Sequence, residues 1–518
     1  MTDKYPMRLV SVLFPPSTAD GIQSFPAQDP PYFEDLAIGR ILDSVIKTYE
    51  AYDLRPFFRL IPHQQEVILY RNEILQDLSR ESLGVLVRVF REGMGLVRKN
   101  LALADKSFNQ YQAAFFSLLA ITDYCRAVRD LHDGLAKAAP AAFGMQAFAL
   151  ALQDYVVSEG FAQLVRQADQ HHAALAGINY TVLLNESTIT VRVFEDEPDY
   201  NTMITQFFAR FQSGQAIAAE KQPTESGVWI GNVQSRILDG VARINPEIFT
   251  ELCTFTAQGR DFMDPALLQF ERETQFYLSW IGFTGQLAGS KNLDFSIPTL
   301  VTDHAVRGQG AFDLALADKL SATGQTVITN DFYLEGQERI FVVTGPNQGG
   351  KTTFARMFGQ MHYFANLGLT VPGKDVRLQF FDRIFTHFER EEALTALHGK
   401  LYDDLVRVHA ILEAATSDSL IILNEIFNST SLQDAQFLAD KVLRDIIRIG
   451  ALGVCVTFMD ELAMLGPQTV SLTSMVEPDN PAKRSFHVVR RQADGLAYAL
   501  SIARKYGVTY EQLKERLT

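Results

Sequence analysis

The chain has 518 residues, too many for a single core, and suggests roughly three or four domains. With 47% hydrophobic and 21% charged residues it is not a disordered chain, and a formal net charge of −14 excludes a featureless electrostatic grip on nucleic acid. Any contact with DNA or RNA must come from a localised basic patch.

Residues 1–31, rich in Pro, Ser and Asp, read as a tail or docking strand. The apolar run Leu9 to Phe14 is too short for a signal-peptide core, and Pro15–Pro16 ends it. From Tyr32 to about Gly177 the pattern is helical, and segment 82–104 places Leu86, Val89, Phe90 and Met94 on one face. Segment 113–138 is apolar on most sides and is expected to be buried. INYTVLLNESTITVRV (178–193) turns to β-branched residues around Asn185 and reads as a hairpin. Helical patterning resumes from about 230 to 290, so 32–300 is expected to be a mostly α-helical core and lever region. Residues 301–518 are expected to form an α/β domain, because strands and helices alternate from about Thr326 as in a mostly parallel sheet. Cys125, Cys253 and Cys455 are too far apart for a disulfide framework or a zinc set, so a reducing, cytoplasmic setting is expected. No segment reaches the length of a membrane span.

The strongest motif is GPNQGGKTT, residues 345–353, directly after the apolar run Ile340 to Val343. It is a P-loop sitting between a buried-strand pattern and a helical stretch, the context the motif requires. Successive backbone N–H groups converge on phosphate oxygens, and glycines permit the close approach. Lys351 brings charge to the β- and γ-phosphates, the Thr352 hydroxyl can ligate Mg²⁺, and the helix N-terminus faces the same anion. Downstream, SLIILNEIF (419–427) is a buried strand ending in Asn424 and Glu425. P-loop enzymes place acidic groups there for the metal and the attacking water, so Asn424 is the metal-side candidate and Glu425 the water-polarising one. The plainer reading of Glu425 is a strand-end carboxylate paired with a neighbouring cation.

GPNQGGKTT, then FDRIFTHFEREEAL (381–394), then IILNEIFNSTSLQDA (421–435), in that order and spacing, resemble the ATPase domain of MutS-type DNA mismatch-repair proteins. The resemblance continues past Asp494–Gly495 into LAYALSIARKYGV (496–508). More loosely it takes in YFEDLAIGRILD (32–43), LYRNEILQDL (69–78) and 160–193, which are similar to the family's helical core and lever. It implies an ABC-type ATPase, binding ATP and Mg²⁺ and working as a homodimer with nucleotide between subunits. By that resemblance Gly345, Pro346, Asn347, Gly349, Gly350, Lys351, Thr352 and Thr353 contact nucleotide, Thr352 and Asn424 serve the metal, and Glu425 and Lys351 are catalytic. Thr430, Ser431 and Asp434 match a loop that faces the partner subunit.

Three positions depart from the family. Asn424 stands in place of an aspartate, Phe458 in place of a γ-phosphate-sensing histidine, and HGKLYDDL (398–405) lacks the serine-rich trans signature, with Lys400 nearest to it. Hydrolysis is therefore expected to be slow. Lys400 either presents a cation to the opposite γ-phosphate or is a solvated lysine. Nothing resembles the family's mismatch-reading domain, and Phe33–Glu34 read as packing plus helix-start charge, so the chain is expected to be a divergent relative without that domain.

Other clusters have plain readings. His171–His172 read as a solvated helix face, Arg88, Arg91, Arg98 and Lys99 as helix-surface charge, and Glu389, Glu391 and Glu392 as a surface loop. Lys483, Arg484, Arg490 and Arg491 flank a strand-like SFHVV near the adenine pocket that the resemblance implies, where Arg490 is a stacking candidate. The leading expectation is an ATP-dependent DNA clamp. The rival is an ATP-responsive switch with little hydrolysis that engages a protein or ribosomal partner. A membrane-transporter ATPase subunit is disfavoured, since no LSGGQ-type signature and no membrane span accompany the motif.

Overall fold

Every residue from Met357 to Asn366 on the helix Lys351–Asn366 is buried, and the second half of the fold is arranged around it. The structure is a computed structural model that describes residues 7–18, 26–185, 188–195, 232–259, 261–291, 293–389, 399–477, 480–492 and 514. Two compact units interleave along the chain. One takes Met1–Val10, Glu81–Pro140 and Gln146–Glu271; the other takes Ser11–Arg80, Ala141–Met145 and Arg272–Thr518.

The first unit is helical. Helices Glu81–Lys106 and Gln110–Ala138 run against each other so closely that a Cβ on Gly93 would lie 2.9 Å from the Ala127 Cβ. The face that Glu81–Lys106 buries carries Leu83, Val87, Phe90, Met94 and Val97, at spacings of three and four. This corrects the face read from sequence: Phe90 and Met94 lie on it, whereas Val89 is 48% exposed. The second helix buries one face, with Phe115 outside it at 41% exposure. Asn109 starts that helix by accepting from the N–H groups of Tyr111 and Gln112, which leaves its amide to donate to Asp239 at 2.7 Å. Strands Tyr180–Asn185 and Thr188–Val193 pair antiparallel as a hairpin, Tyr180 opposite Val193. Phe148 and Phe270 stack with ring centroids 3.6 Å apart, and the buried Glu271 accepts from both terminal nitrogens of Arg98.

The second unit is α/β with mixed sheets. Its main sheet has six strands, side by side in the order Ile384–Phe388, Leu420–Asn424, Leu452–Val456, Ile340–Thr344, Thr469–Glu477, Asn480–Arg490. The first five are parallel and the last is antiparallel. Strands Ile340–Thr344, Leu420–Asn424 and Leu452–Val456 are buried at every position because helices cover both faces. On one face Ile340, Val342, Ile421 and Leu423 meet Ala435, Ala439, Leu443 and Ile446 of helix Leu432–Ile449. On the other face lies Lys351–Asn366, pressed between the sheet and the N-terminal segment. A Cβ on Gly359 would fall 2.6 Å from Ile422 on one side and 2.7 Å from Leu36 on the other. A four-stranded sheet, in the order Thr299–Val301, Lys374–Gln379, Val306–Ala311, Asn330–Leu334, adjoins this core. Residues 32–80 thus pack with the α/β core, while 81–140 and 146–271 form the other unit. Among the described residues no helix is long and apolar enough to cross a membrane. All three cysteines are free thiols, and burial pushes those of Cys125 and Cys455 up to about 12.

Two glycines test this packing from opposite sides. Gly368 has φ +79° just beyond the buried helix, and a Cβ there would sit 2.5 Å from the Arg71 Cβ. Gly368→Ala should cost about 2–4 kcal/mol, combining left-handed strain with overpacking. Gly95, inside a helix with no atom within 4 Å of a built Cβ, is the control. Gly95→Ala should stabilise by about 0.5–1 kcal/mol. Chemical denaturation monitored by circular dichroism reads both, and equal effects would contradict the packing described.

Candidate nucleotide-binding site

Strand Ile340–Thr344 ends in a loop whose shape depends on three left-handed residues, Gly345 (φ +112°), Gln348 (φ +60°) and Gly350 (φ +99°). The neighbouring strand crowds it. A Cβ on Gly345 would stand 2.9 Å from the Ser474 carbonyl oxygen, and one on Gly349 would stand 2.2 Å from the Ser474 Oγ. Ser474 also pins the loop, donating from Oγ to the Gly349 carbonyl at 2.6 Å. A second anchor comes from Arg484, whose Nε donates to the Asn347 carbonyl at 3.1 Å. No motif marks Ser474, because its role depends on strand Thr469–Glu477 lying parallel to Ile340–Thr344.

Lys351 opens the helix with its ammonium folded back into the loop. Nζ donates to the carbonyls of Gly345 (2.9 Å) and Pro346 (3.3 Å) and to Asn347 Oδ1 (3.3 Å). Phe458 covers it, the ring centroid 4.6 Å from Nζ. Burial holds the Lys351 ammonium below the usual lysine range; Glu425 opposes that shift and Arg484 adds to it. Next in sequence, Thr352 Oγ1 donates to Asn424 Oδ1 at 3.0 Å. Asn424 is the last residue of strand Leu420–Asn424, and Glu425 turns out of the sheet with φ +54° while its N–H still donates to the Val456 carbonyl at 2.9 Å. Asn428 donates to the Glu425 carboxylate at 3.3 Å. The fold thus brings Gly345 to Thr353, Asn424, Glu425 and Phe458 to the C-terminal edge of the parallel strands, the region where ligands bind in open α/β sheets. The oxygens of Thr352 and Asn424 are hard, adjacent donors, a chemistry suited to Mg²⁺ when phosphates supply the negative charge.

Other candidates have local partners. Ser431 caps helix Leu432–Ile449, accepting from the Asp434 N–H (3.2 Å) and donating to its carboxylate (2.7 Å), so both act on the helix start. Lys400 is not a free solvated lysine, because it pairs with Glu389. Arg490 pairs with Glu338 and stacks its guanidinium 4.4 Å from the Tyr333 ring centroid. In the first unit, His172 hydrogen-bonds Thr122 and His171 stacks on Phe255. Glu391, Glu392, Asp494–Gly495 and residues 496–508 lie outside the described residues, as does the side chain of Lys483.

Residues 341–515 match a family model described as MutS domain V. The chain is 30% identical over 190 residues to the DNA mismatch repair protein MutS of Thermotoga maritima, which spans 36% of this chain and 24% of that protein. It is 31% identical over 193 residues to the MutS of Thermotoga neapolitana, 35% of this chain and 24% of that one. A third relative, the endonuclease MutS2 of Thermus thermophilus, is 29% identical over 189 residues, 36% of this chain and 25% of that protein. The matched region is about a quarter of the length of these relatives.

The buried ammonium predicts a pH dependence. Its folded-state pKa is depressed, so unfolding takes up a proton between the lowered value and that of a free lysine. Stability from this residue is therefore present above the free-lysine pKa and is lost as pH falls through the folded one. As pH rises toward the free-lysine pKa of about 10.4, the wild type should gain stability relative to Lys351→Met. Parallel denaturation midpoints for the two proteins over that rise would contradict the buried placement.

Proposed function

Because the C-terminal part of the chain belongs to the MutS family, we propose that the protein binds ATP with Mg²⁺ in the loop Gly345–Thr353 and hydrolyses it slowly. The observation that carries this reading is the Lys351 ammonium lodged among loop carbonyls, with the Thr352–Asn424 oxygen pair beside it. In the proposed complex the γ-phosphate replaces those carbonyls as the partner of Lys351, and the loop N–H groups face the remaining phosphate oxygens. Mg²⁺, when bound, neutralises phosphate charge, with Thr352 and Asn424 as its protein-side oxygens. Glu425, which leaves the sheet with φ +54°, would polarise water and take its proton. Asn424 leaves the metal side without a formal charge, and Phe458 offers no proton-bearing group, which supports slow turnover.

Two copies would sandwich nucleotide through their α/β units and couple closure to DNA held by the helical units. The names of the relatives, for mismatch repair and for endonuclease activity, support DNA as the partner. The net charge of −14 and the neutral Asn424 favour the second reading, an ATP-responsive switch with little hydrolysis that engages a protein or ribosomal partner. Filter binding to duplex, branched and single-stranded DNA, with and without ATP across salt concentrations, separates the two. A clamp must lose affinity log-linearly with salt.

Lys351→Ala should weaken ATP roughly 100-fold or more, since backbone N–H groups alone do not balance the phosphate charge. Glu425→Gln should keep ATP affinity, stop turnover and accumulate an ATP-bound dimer in sedimentation. Unchanged ATP affinity in Lys351→Ala would end the nucleotide reading, and unchanged turnover in Glu425→Gln would end the assigned catalytic role.

Asn424→Asp keeps an acceptor for the Thr352 hydroxyl and adds a charge beside the metal position. It should raise Mg²⁺ affinity in the ATP complex on the order of tenfold. A Mg²⁺ titration of nucleotide binding showing no gain would mean that the site has been rebuilt around the amide.

A further inference from the structure

Residues Ser11–Phe14 lie in the second unit with Val12 and Leu13 fully buried, yet they belong to no strand. Side chains bind their backbone instead. The Val12 N–H donates to the buried Glu273 carboxylate at 2.6 Å, and the Ser11 hydroxyl lies 3.0 Å from each oxygen of the same carboxylate. The carbonyl of Ser11 accepts from the Tyr70 hydroxyl (2.5 Å), that of Val12 from the Tyr277 hydroxyl (2.6 Å), and that of Leu13 from Arg71 Nε (3.0 Å). The Phe14 ring completes the set, 4.9 Å from the Arg71 guanidinium carbon. The segment itself is bent, the Leu13 and Phe14 N–H groups donating to the Ser11 hydroxyl (3.1 and 3.0 Å), so the surrounding side chains read the remaining backbone groups of a compact turn whose Val12 and Leu13 are buried.

Arg71 ties this segment to the nucleotide-loop helix. It is fully buried, and one terminal nitrogen donates to the Leu367 carbonyl at 3.4 Å while the other has no partner among the described residues. Leu367 follows directly on helix Lys351–Asn366, where the last carbonyls lack intrahelical donors and a cation is favourable. The helix that supplies Glu273 and Tyr277 also carries Trp280, whose ring packs 4.3 Å from that of Phe364 and whose N–H donates to Thr370 at 2.9 Å. Burying Arg71 and Glu273 is tolerable only while their hydrogen bonds are made, and Ser11–Leu13 supplies bonds to both.

We propose that Ser11–Phe14 is a separable strap, a bent apolar segment bound in cis in a groove built from Tyr70, Arg71, Glu273 and Tyr277. Its docking fixes the C-terminal end of helix Lys351–Asn366 through Arg71. The inference goes beyond nucleotide binding and does not depend on it.

Hydrogen exchange on the full chain without nucleotide tests it. Val12→Asp sets a second carboxylate beside Glu273 and should release the strap. Exchange should then rise about tenfold or more both in 11–14 and in 363–370, while strands 340–344 and 420–424 stay protected. A synthetic peptide of residues 7–18 should restore protection at 363–370 in that variant, and the same peptide N-methylated at Val12 should not. Release of 11–14 with 363–370 still protected would overturn the coupling. Equal rescue by the two peptides, or by neither, would overturn the groove. Should Val12→Asp unfold the chain, Tyr277→Phe removes a single bond and should raise exchange a few-fold in both segments; a rise in only one overturns the proposal. Parallel ATP titration of the wild type keeps the two readings apart, since failure there would sink nucleotide binding and leave the strap result standing.

Discussion

Helix Lys351–Asn366, buried at every residue from Met357 on, draws partners for its polar side chains from across its unit, leaving only His362 Nε2 and Asn366 Oδ1 without one among the described residues of the helix. Gln360 donates to the Leu36 carbonyl and accepts from the Leu314 N–H, both at 2.9 Å. Tyr363 donates to the Phe58 carbonyl, and Asn366 to that of Phe381 at 3.0 Å. His362 donates through Nδ1 to the Phe358 carbonyl at 2.8 Å, and burial pushes its pKa down to about 4, so it stays neutral. Arg356 meets the buried Asp313, which also caps helix Leu314–Ser321. Each unmade bond of this kind would cost about 1–3 kcal/mol. The partners come from segments hundreds of residues apart, which explains why residues 32–80 pack with the α/β core.

The same economy of partners shapes the loop. Lys351 is held by carbonyls of its own turn, so its charge has partners without an external anion. Backbone strain gathers nearby, at Gln348, Glu425 and Phe427, all non-glycine residues with positive φ. Each such residue costs of order 1–3 kcal/mol and persists only where its surroundings fix it. At Glu425 the bond from its N–H to Val456 does the fixing: it continues the ladder for one more residue while the chain swings the carboxylate off the sheet.

Much of this was legible in the sequence, for physical reasons that differ from residue to residue. The loop could be read because the glycines, Lys351 and Thr352 are local in sequence and meet one steric requirement. The buried strands could be read because helices on both faces demand unbroken apolar runs such as Leu420 to Leu423. Ser474, Arg71 and Glu273 could not, since each acts through partners far away in sequence and sits in no motif. The buried face of Glu81–Lys106 was misread by part of a turn, because Val85, Val89 and Leu96 make an apolar stripe that is exposed and competes with the true one. Arg490 and Lys400 carried charge whose partners, Glu338 and Glu389, only the fold supplies.

The encasement also limits what the loop can do. Sixteen residues of α-helix extend about 24 Å, and side chains locked on several sides leave little room for bending. A shift at the Lys351 end must then be taken up either by the loop itself or by displacement of the helix as a body. Displacement would break the bonds to Leu36, Phe58 and Leu314 together, whereas loop rearrangement breaks only those of Lys351 to carbonyls that water or an anion can replace. The cheaper response is local. Any longer-range response must therefore come from surfaces that contact the loop directly, such as Phe458 and the strand carrying Ser474, and not from the helix core.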